Sequence, residues 1–382
     1  MTDHAFVPND EQSMLRDAAR GWVRDRAPIS ALRKLRTENL ETGFDPALFG
    51  EMVEMGWTGI LVPEDDGGFG FGHASIGLIA EELGRNLVAS PLISSAVAAT
   101  DALVLCGNPD QKSEWLPRLL SGEIHAAIAL EEAIAHNPSG VALRARLDGN
   151  SWVLDGRKQP VFDYGEAGLV IVAARTSGEP GDRDGITLFL CPRDAAGTSA
   201  TRLTQVDSRG AWALVFDGCR LDAGCVLGEI DKGLPALETV LDRARAVLAA
   251  EMIGSTTQAF ETTVEYLKTR VQFDQPIGAF QALQHRAAEL LGEIELARSA
   301  VWAALAAIDA GDADVPRYTS LAKALAGKAF RRTAQEMVQL HGGIGMTDEH
   351  DSGLYLKRAH VADMTFGNVS FHRDRFAKLA GI

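Results

Sequence analysis

The sequence predicts an α+β protein built from three consecutive parts: a helical domain over 1–125, a β domain over 126–230 and a helical bundle over 231–382. Two observations carry this. Apolar residues recur at helical spacing near both ends of the chain, whereas between 126 and 220 they fall into short alternating or β-branched runs. The length of 382 residues is also enough for two or three cores at roughly 100–200 residues each.

In the first part, residues 11–25 place Met14, Leu15, Ala18, Ala19, Trp22 and Val23 on one helical face. Residues 46–55 predict a second short helix capped by Asp45. Gly67-Gly68-Phe69-Gly70-Phe71-Gly72 lacks a preceding strand and a following basic residue, so it reads as a loop rather than a phosphate cradle. Helices are expected at 73–85, 91–105 and 109–121. In the middle part, strands are expected at 126–130, 141–147, 151–154, 169–174, 185–191 and 211–220, arranged as a barrel or sandwich. Gly149-Asn150, Gly178 to Gly181 and Asp217-Gly218 punctuate them. In the third part, Leu237, Val240, Leu241, Ala244, Val247, Leu248 and Glu251 share a broad face. With 281–310, 318–340 and 354–362 they predict a four-helix bundle.

The net charge of −15 argues against nonspecific nucleic-acid or anionic-membrane binding. No apolar run approaches the ~20 residues of a membrane span, and residues 1–10 lack the features of a signal peptide. Cys106, Cys191, Cys219 and Cys225 form no CxxC pair, so free thiols, a cytoplasmic setting and no metal site are expected.

The most specific string is Tyr266, Arg270-Val271-Gln272-Phe273-Asp274-Gln275-Pro276-Ile277 and Phe280-Gln281, followed later by Gln339-Leu340-His341-Gly342-Gly343-Ile344-Gly345. These resemble two C-terminal motifs of the acyl-CoA dehydrogenase family, Arg-x-Gln-Phe-Gly-x-Pro-Ile and Gln-x-x-Gly-Gly-x-Gly, with Asp274 in a glycine place. Trp57 to Glu64, Gly67-Gly68 and Glu81-Glu82-Leu83-Gly84 extend the likeness over the whole chain. The resemblance implies FAD as cofactor, an acyl-CoA substrate and a homo- or hetero-tetramer. It also implies that Arg270, Phe273, Gln281, Gln339, Gly342 and Gly343 reach the pyrophosphate and adenosine end of a neighbouring chain's FAD. The residue chemistry agrees, because a guanidinium can grip a pyrophosphate bidentately and bare glycines let backbone N–H groups approach. Without the resemblance, Arg270 is an exposed helix-end cation and the glycines are a helix cap.

The sequence departs from the family in two places. The family's Thr-Glu-Pro and Gly-Ser-Asp stretch corresponds to Leu130 through Pro138, where only Glu131 is kept. Its Trp-Ile-Thr corresponds to Pro160-Val161-Phe162. The groups expected to bond and cover the flavin ring are therefore largely missing. The family's base is the Glu of a Tyr-Glu-Gly triplet, and alignment through Ser370 to Arg373 puts Thr365-Phe366-Gly367 there. Phe366 cannot take a proton, although its backbone N–H can still polarise a carbonyl. The alternative base position falls on Ala244, whose neighbour Arg245 matches a family arginine and is expected at the substrate. Glu251 is a weak candidate base, about 10 Å further along the helix; its alternative is a buried Glu paired with an arginine. Asp363 and Asp242 are fainter candidates, and His341 reads as packing.

The motifs that act on a neighbour are intact and those that act within the chain are lost. This predicts the base-lacking partner in a heteromeric dehydrogenase of the bacterial steroid and acyl-CoA degradation type. The alternatives are a self-sufficient dehydrogenase with a displaced base, a flavin monooxygenase-like relative of the same fold, or a scaffold.

Overall fold

The computed structural model describes residues 6–38 and 40–382. Half of the stretch read for a targeting signal, residues 1–5, lies outside the described residues. The N-terminal third carries α1 (Asp10–Arg26), α2 (Ile29–Glu38), α3 (Pro46–Glu54), α4 (Gly72–Arg85), α5 (Thr100–Cys106) and α6 (Pro109–Leu120). Strands β1 (Ala126–Ala129), β2 (Arg144–Asp148), β3 (Ser151–Phe162), β4 (Leu169–Arg175), β5 (Ile186–Pro192), β6 (Thr198–Leu203), β7 (Ala211–Asp222) and β8 (Val226–Leu227) follow. Then come α7 (Gly233–Thr269), the hairpin β9 (Val271–Gln272) and β10 (Gln275–Pro276), α8 (Gln281–Asp309), α9 (Val315–His341), α10 (Ser352–Met364) and α11 (Val369–Ala380). Among the described residues, no helix is long and apolar enough to cross a membrane. All four cysteines are free thiols.

The chain forms two compact units, one of residues 34–72 and 89–244, the other of residues 1–33, 73–88 and 245–382. In the first, the strands make one eight-stranded mixed sheet ordered β6-β7-β3-β2-β4-β5-β8, with β1 parallel to β4. Trp152, Leu154, Val161, Val172, Phe189, Trp212 and Leu214 pack its core. The register of β3 against β7 shifts between Leu154 and Gly156 and between Lys158 and Val161, irregularities that bend a long strand. Strand β6, Thr198–Leu203, is half-exposed and polar, so it carries no apolar alternation to betray it. Asp45 caps α3 as expected, accepting from the Ala47 N–H. The segment expected as one helix over 91–105 starts instead as a wide π turn, Leu92–Ala99, before α5. There Ser94 donates to Asp163 and Thr100 to the Ser95 carbonyl, which gives the widened backbone side-chain partners. The glycine loop at 67–72 is no cradle: the N–H groups of Gly67, Gly68, Phe69, Gly70 and Phe71 all bond to carbonyls of residues 59–64.

The second unit is helical. Its tightest contact is a reciprocal glycine crossing of α4 and α7. A Cβ on Gly84 would lie 2.0 Å from the Glu251 carbonyl oxygen, and one on Gly254 1.7 Å from that of Glu81. Only glycine permits this approach, and it fixes the height of Glu251. Around the crossing, Arg298 pairs with Glu81 and Arg20 with Glu82.

Candidate functional site

The segment between α10 and α11 carries Phe366, and it is held from inside the helical unit. Phe366 has φ +56°, a left-handed conformation costly for a bulky side chain, and Gly367 follows at φ +102°. The Phe366 carbonyl accepts from Arg245 Nε at 2.9 Å and contacts His372 Nε2 at 3.1 Å. Lys323 Nζ donates to the carbonyls of Ala362, Asp363 and Gly367 at 2.8, 3.1 and 3.2 Å. The Asp363 carboxylate accepts from the Val369 N–H at 3.1 Å and faces Arg331 at 3.8 Å. A Cβ on Gly327 would come within 2.8 Å of the same carboxylate, so bare backbone on α9 makes room for it. No carboxylate occupies position 366.

Arg245 is expected at the substrate. It is 1% exposed, and its partners include the Phe366 carbonyl and the Phe371 ring, 5.5 Å from the guanidinium. It bears on the loop. Ala244 is fully buried and Asp242 nearly so, both in α7. Glu251 is buried against Arg358, whose Nε and one Nη lie 3.0 and 2.8 Å from a single carboxylate oxygen. This is the paired arrangement that stood as the alternative to a displaced base.

The two C-terminal motifs meet at one end of the same unit. Tyr266, in the last turn of α7, stacks on His341 with ring centroids 4.4 Å apart and reaches its carbonyl at 3.4 Å. His341 is buried, with Nδ1 2.7 Å from the Met337 carbonyl, and serves packing. Four residues beyond Tyr266, Arg270 is exposed and opens the β9–β10 hairpin. Its two-residue turn is Phe273-Asp274, both left-handed at φ +53° and +60°. This explains the glycine that the family places at 274; aspartate is among the residues that tolerate such a φ. Phe273 stands 82% exposed at the tip. One residue past His341, Gly342 adopts φ +65°, ψ −136°, which only glycine enters readily. A Cβ on Gly342 or Gly343 would meet nothing within 4 Å, so this turn is open backbone rather than a packed cap. Gln339 and Gln281 are also exposed. An accessible guanidinium and open glycine backbone, joined through the Tyr266–His341 stack, would suit the pyrophosphate end of a dinucleotide.

The β unit's counterpart is closed in on itself. Lys158 is fully buried and bridges Glu132 at 2.7 Å and the Leu130 carbonyl at 3.0 Å. Glu132 also accepts from the N–H groups of Ala142 and Leu143 at 2.9 and 3.0 Å, and His136 is bonded to Glu131. Arg175, fully buried, donates to the carbonyls of Val141, Ser139, Asp182 and Asp184. Sequence reasoning missed Lys158, Arg175 and Lys323, because their acceptors are mostly backbone carbonyls. Residues 130–137 and 160–162 contain no hydroxyl side chain. The donors that would suit a flavin ring edge are absent from this stretch, whereas those for the dinucleotide's other end are present in the helical unit.

Residues 9–123 match the family described as acyl-CoA dehydrogenase, N-terminal domain, and residues 231–380 that described as acyl-CoA dehydrogenase, C-terminal domain. The chain is 30% identical over 372 residues to acyl-CoA dehydrogenase FadE12 of Mycobacterium tuberculosis, covering 95% of this chain and 94% of that one. It is 32% identical over 356 residues to acyl-CoA dehydrogenase IpdE2 of the same species, covering 93% and 92%. Among solved structures it is similar to a variant of the Tcur3481-Tcur3483 steroid ACAD, with TM-score 0.87 and 31% identity over 97% of this chain and 98% of that one. Butyryl-CoA dehydrogenase from Megasphaera elsdenii gives TM-score 0.90 at 25% identity over 99% and 100%.

Proposed function

Because the chain belongs to the acyl-CoA dehydrogenase family of FAD-dependent oxidoreductases, we propose that it is the base-lacking partner in a heteromeric dehydrogenase. Its Arg270, Phe273, Gln281, Gln339, Gly342 and Gly343 complete the FAD site of a sister chain. FAD held there would supply the acceptor for a hydride from Cβ of an acyl-CoA, and a carboxylate would be needed to take the Cα proton. In this chain no side chain at the aligned position can take that proton. The Phe366 ring is there instead, on a loop whose carbonyls are held by Arg245 and Lys323. That is the observation on which the proposal rests. Arg270 supplies a planar pair of donors to a phosphate, and the open Gly342-Gly343 backbone admits it.

Glu251 does not restore a base of its own, since Arg358 holds it in a buried ion pair. The exposed apolar side chains Val271, Phe273, Ile344 and Met346 beside the two motifs, with Leu291 and Leu296 on α8, support association with a second chain in a tetramer. The likeness to the Tcur3481-Tcur3483 steroid ACAD supports a steroid-type acyl-CoA as substrate, and the four free cysteines support a cytoplasmic setting. The test is anaerobic flavin bleaching with a panel of acyl-CoAs. The lone chain, supplied with FAD, is expected not to bleach. Co-expression with a sister chain carrying the Glu is expected to bleach rapidly. Rapid bleaching by the lone chain overturns the proposal.

A further inference from the structure

A column of three rings runs beneath the glycine turn. Tyr266 of α7 stacks on His341 with centroids 4.4 Å apart, and His341 in turn meets His350 at 4.2 Å, the two planes 42° apart. The second contact closes the chain on itself: the Gly342–Gly345 turn leaves from one histidine and the backbone returns at the other. The returning end is fixed from two sides. Arg33 of α2 bonds to the Asp351 carboxylate through Nε at 3.0 Å and to the Asp348 carbonyl at 2.7 Å. Ser352 Oγ donates to the Gly345 carbonyl at 2.7 Å. Gly342 and Gly343 are exposed and have no side chains to hold their shape, so the ring pair at the base of the turn bears directly on it.

The hydrogen bonds fix both tautomers. His341 Nδ1 lies 2.7 Å from the Met337 carbonyl, which only accepts, so Nδ1 carries the proton and Nε2 the lone pair. His350 Nδ1 accepts from the Ser352 N–H at 3.2 Å, so here Nδ1 carries the lone pair and Nε2 the proton. Protonating His350 would set a second donor against the Ser352 N–H. Protonating both rings would set like charges face to face at 4.2 Å. The closed pair is therefore built for two neutral rings. We propose that His341 and His350 are positioning residues that form a pH-sensitive clasp, which holds the Gly342–Gly345 turn in the shape that receives the FAD of a sister chain and opens on acidification. This rests on the reading of Arg270 and the glycine turn as the arm of that FAD site.

Tyr266 and His350 face His341, and Asp351 and Arg33 face His350. Burial lowers both histidines from 6.5; His350 lowers His341 further and Arg33 lowers His350 further, while the Met337 carbonyl raises the first and Asp351 the second. A histidine whose pKa is lower in the closed state than in the open one stabilises the closed state fully above 6.5, and that contribution is lost as pH falls below it. At about pH 5.5, each histidine favours the open turn by up to about tenfold.

The experiment follows release of FAD from the complex with a sister chain, read as flavin fluorescence after dilution. FAD leaves when the turn opens, so the release rate follows the open population. It should rise roughly 3–10-fold between about pH 7.5 and about pH 5.5. His350 is half-buried and the more accessible of the two to protons. His350→Phe keeps a ring in the column without a titrating nitrogen, and is expected to remove most of the rise. A release rate independent of pH overturns the proposal, as does a rise that survives His350→Phe in full. Should His350→Phe not assemble, the lone wild-type chain still decides through NMR of its histidine rings. Both should titrate below 6.5, and their mutual ring-current shifts should collapse with that titration. Titration of either ring at or above 6.5, or ring-current shifts that outlast protonation, overturns the proposal. Unchanged flavin content in Arg270→Ala would instead remove the arm, and with it the ligand of the clasp, while the ring titrations of the lone chain stood. Bleaching by the lone chain would remove the base-lacking assignment and leave the clasp serving a second copy of this chain.

Discussion

Replacing Glu251 by Gln separates a structural carboxylate from a displaced base. Both Glu251 and Arg358 are less than a tenth exposed, and two guanidinium nitrogens lie 2.8 and 3.0 Å from one carboxylate oxygen. Glu251→Gln keeps the shape and an acceptor but leaves the Arg358 charge buried without its counter-ion. Breaking a buried pair in this way costs about 3–5 kcal/mol. Because Gln still accepts, about 3 kcal/mol is expected. At ~2–4 °C per kcal/mol for a unit of this size, Tm should fall by roughly 6–12 °C. Arg358→Met alone should be comparably destabilising, and the double variant Glu251→Met, Arg358→Met should recover most of the loss, because no charge is then buried. The assay is thermal unfolding of the full chain, paired with turnover of the sister-chain complex per folded molecule. The structure predicts lost stability and unchanged turnover. A Glu251→Gln variant with wild-type Tm and turnover reduced ~100-fold or more, the scale of a lost general base, would refute this and make Glu251 the base.

Three further outcomes follow from the site. Phe366→Glu in the lone chain should recover only part of the ~10²–10⁴-fold that a general base supplies, because Leu130, Pro160 and Phe162 still leave the flavin edge without hydroxyl donors; bleaching rates measure it, and full recovery would contradict the account of the β unit. Arg270→Ala should weaken FAD retention in the complex by about 1.5–3 kcal/mol, with Arg270→Lys recovering part since an ammonium lacks the planar fork; flavin content after desalting reads this, and unchanged content removes Arg270 from the site. His125, buried beside Phe44 and Phe49 with Nε2 3.0 Å from the Asp163 carbonyl, is pushed down by desolvation from 6.5 to about 4. The neutral ring therefore contributes stability that is fully present above pH 6.5 and lost as pH falls toward 4, on the order of 3 kcal/mol; denaturant midpoints across that range should fall in wild type and flatten in His125→Gln.

What was legible in the sequence is what local chemistry determines. The Asp45 cap and the helical periods each rest on residues within a few positions of one another, whereas the hairpin after Arg270 was not read. The open turn at Gly342 is equally local, since its ψ of −136° at φ +65° excludes most other residues. Helices α2 and α11 were not read, and β6 was missed because a half-exposed strand needs no apolar alternation. The larger omissions are the buried cations. Glu251 and Arg358 lie 107 positions apart, and Lys323 reaches carbonyls 39 to 44 positions away. A backbone carbonyl has no residue identity, so no side-chain pattern announces that Lys323, Lys158 or Arg175 will be buried rather than solvated.

These cations bear on how a catalytic carboxylate can be missing from an otherwise intact turn. If the 364–368 segment had drifted freely, its internal grips would have had no reason to persist together. Instead Lys323, Arg245 and His372 converge on it, Asp363 ties it to the start of α11, and Gly327 leaves room for that carboxylate. The side chain at 366 is a phenyl ring, on a turn whose carbonyls at 362, 363, 366 and 367 are held by buried side chains. The arm is similarly self-sufficient: Tyr266 and His341 join its two motifs within one unit, so losses in the 130–137 stretch need not disturb it. Under the proposed reading, a chain with a phenyl ring at 366 and such an arm supports chemistry whose base lies on a sister chain.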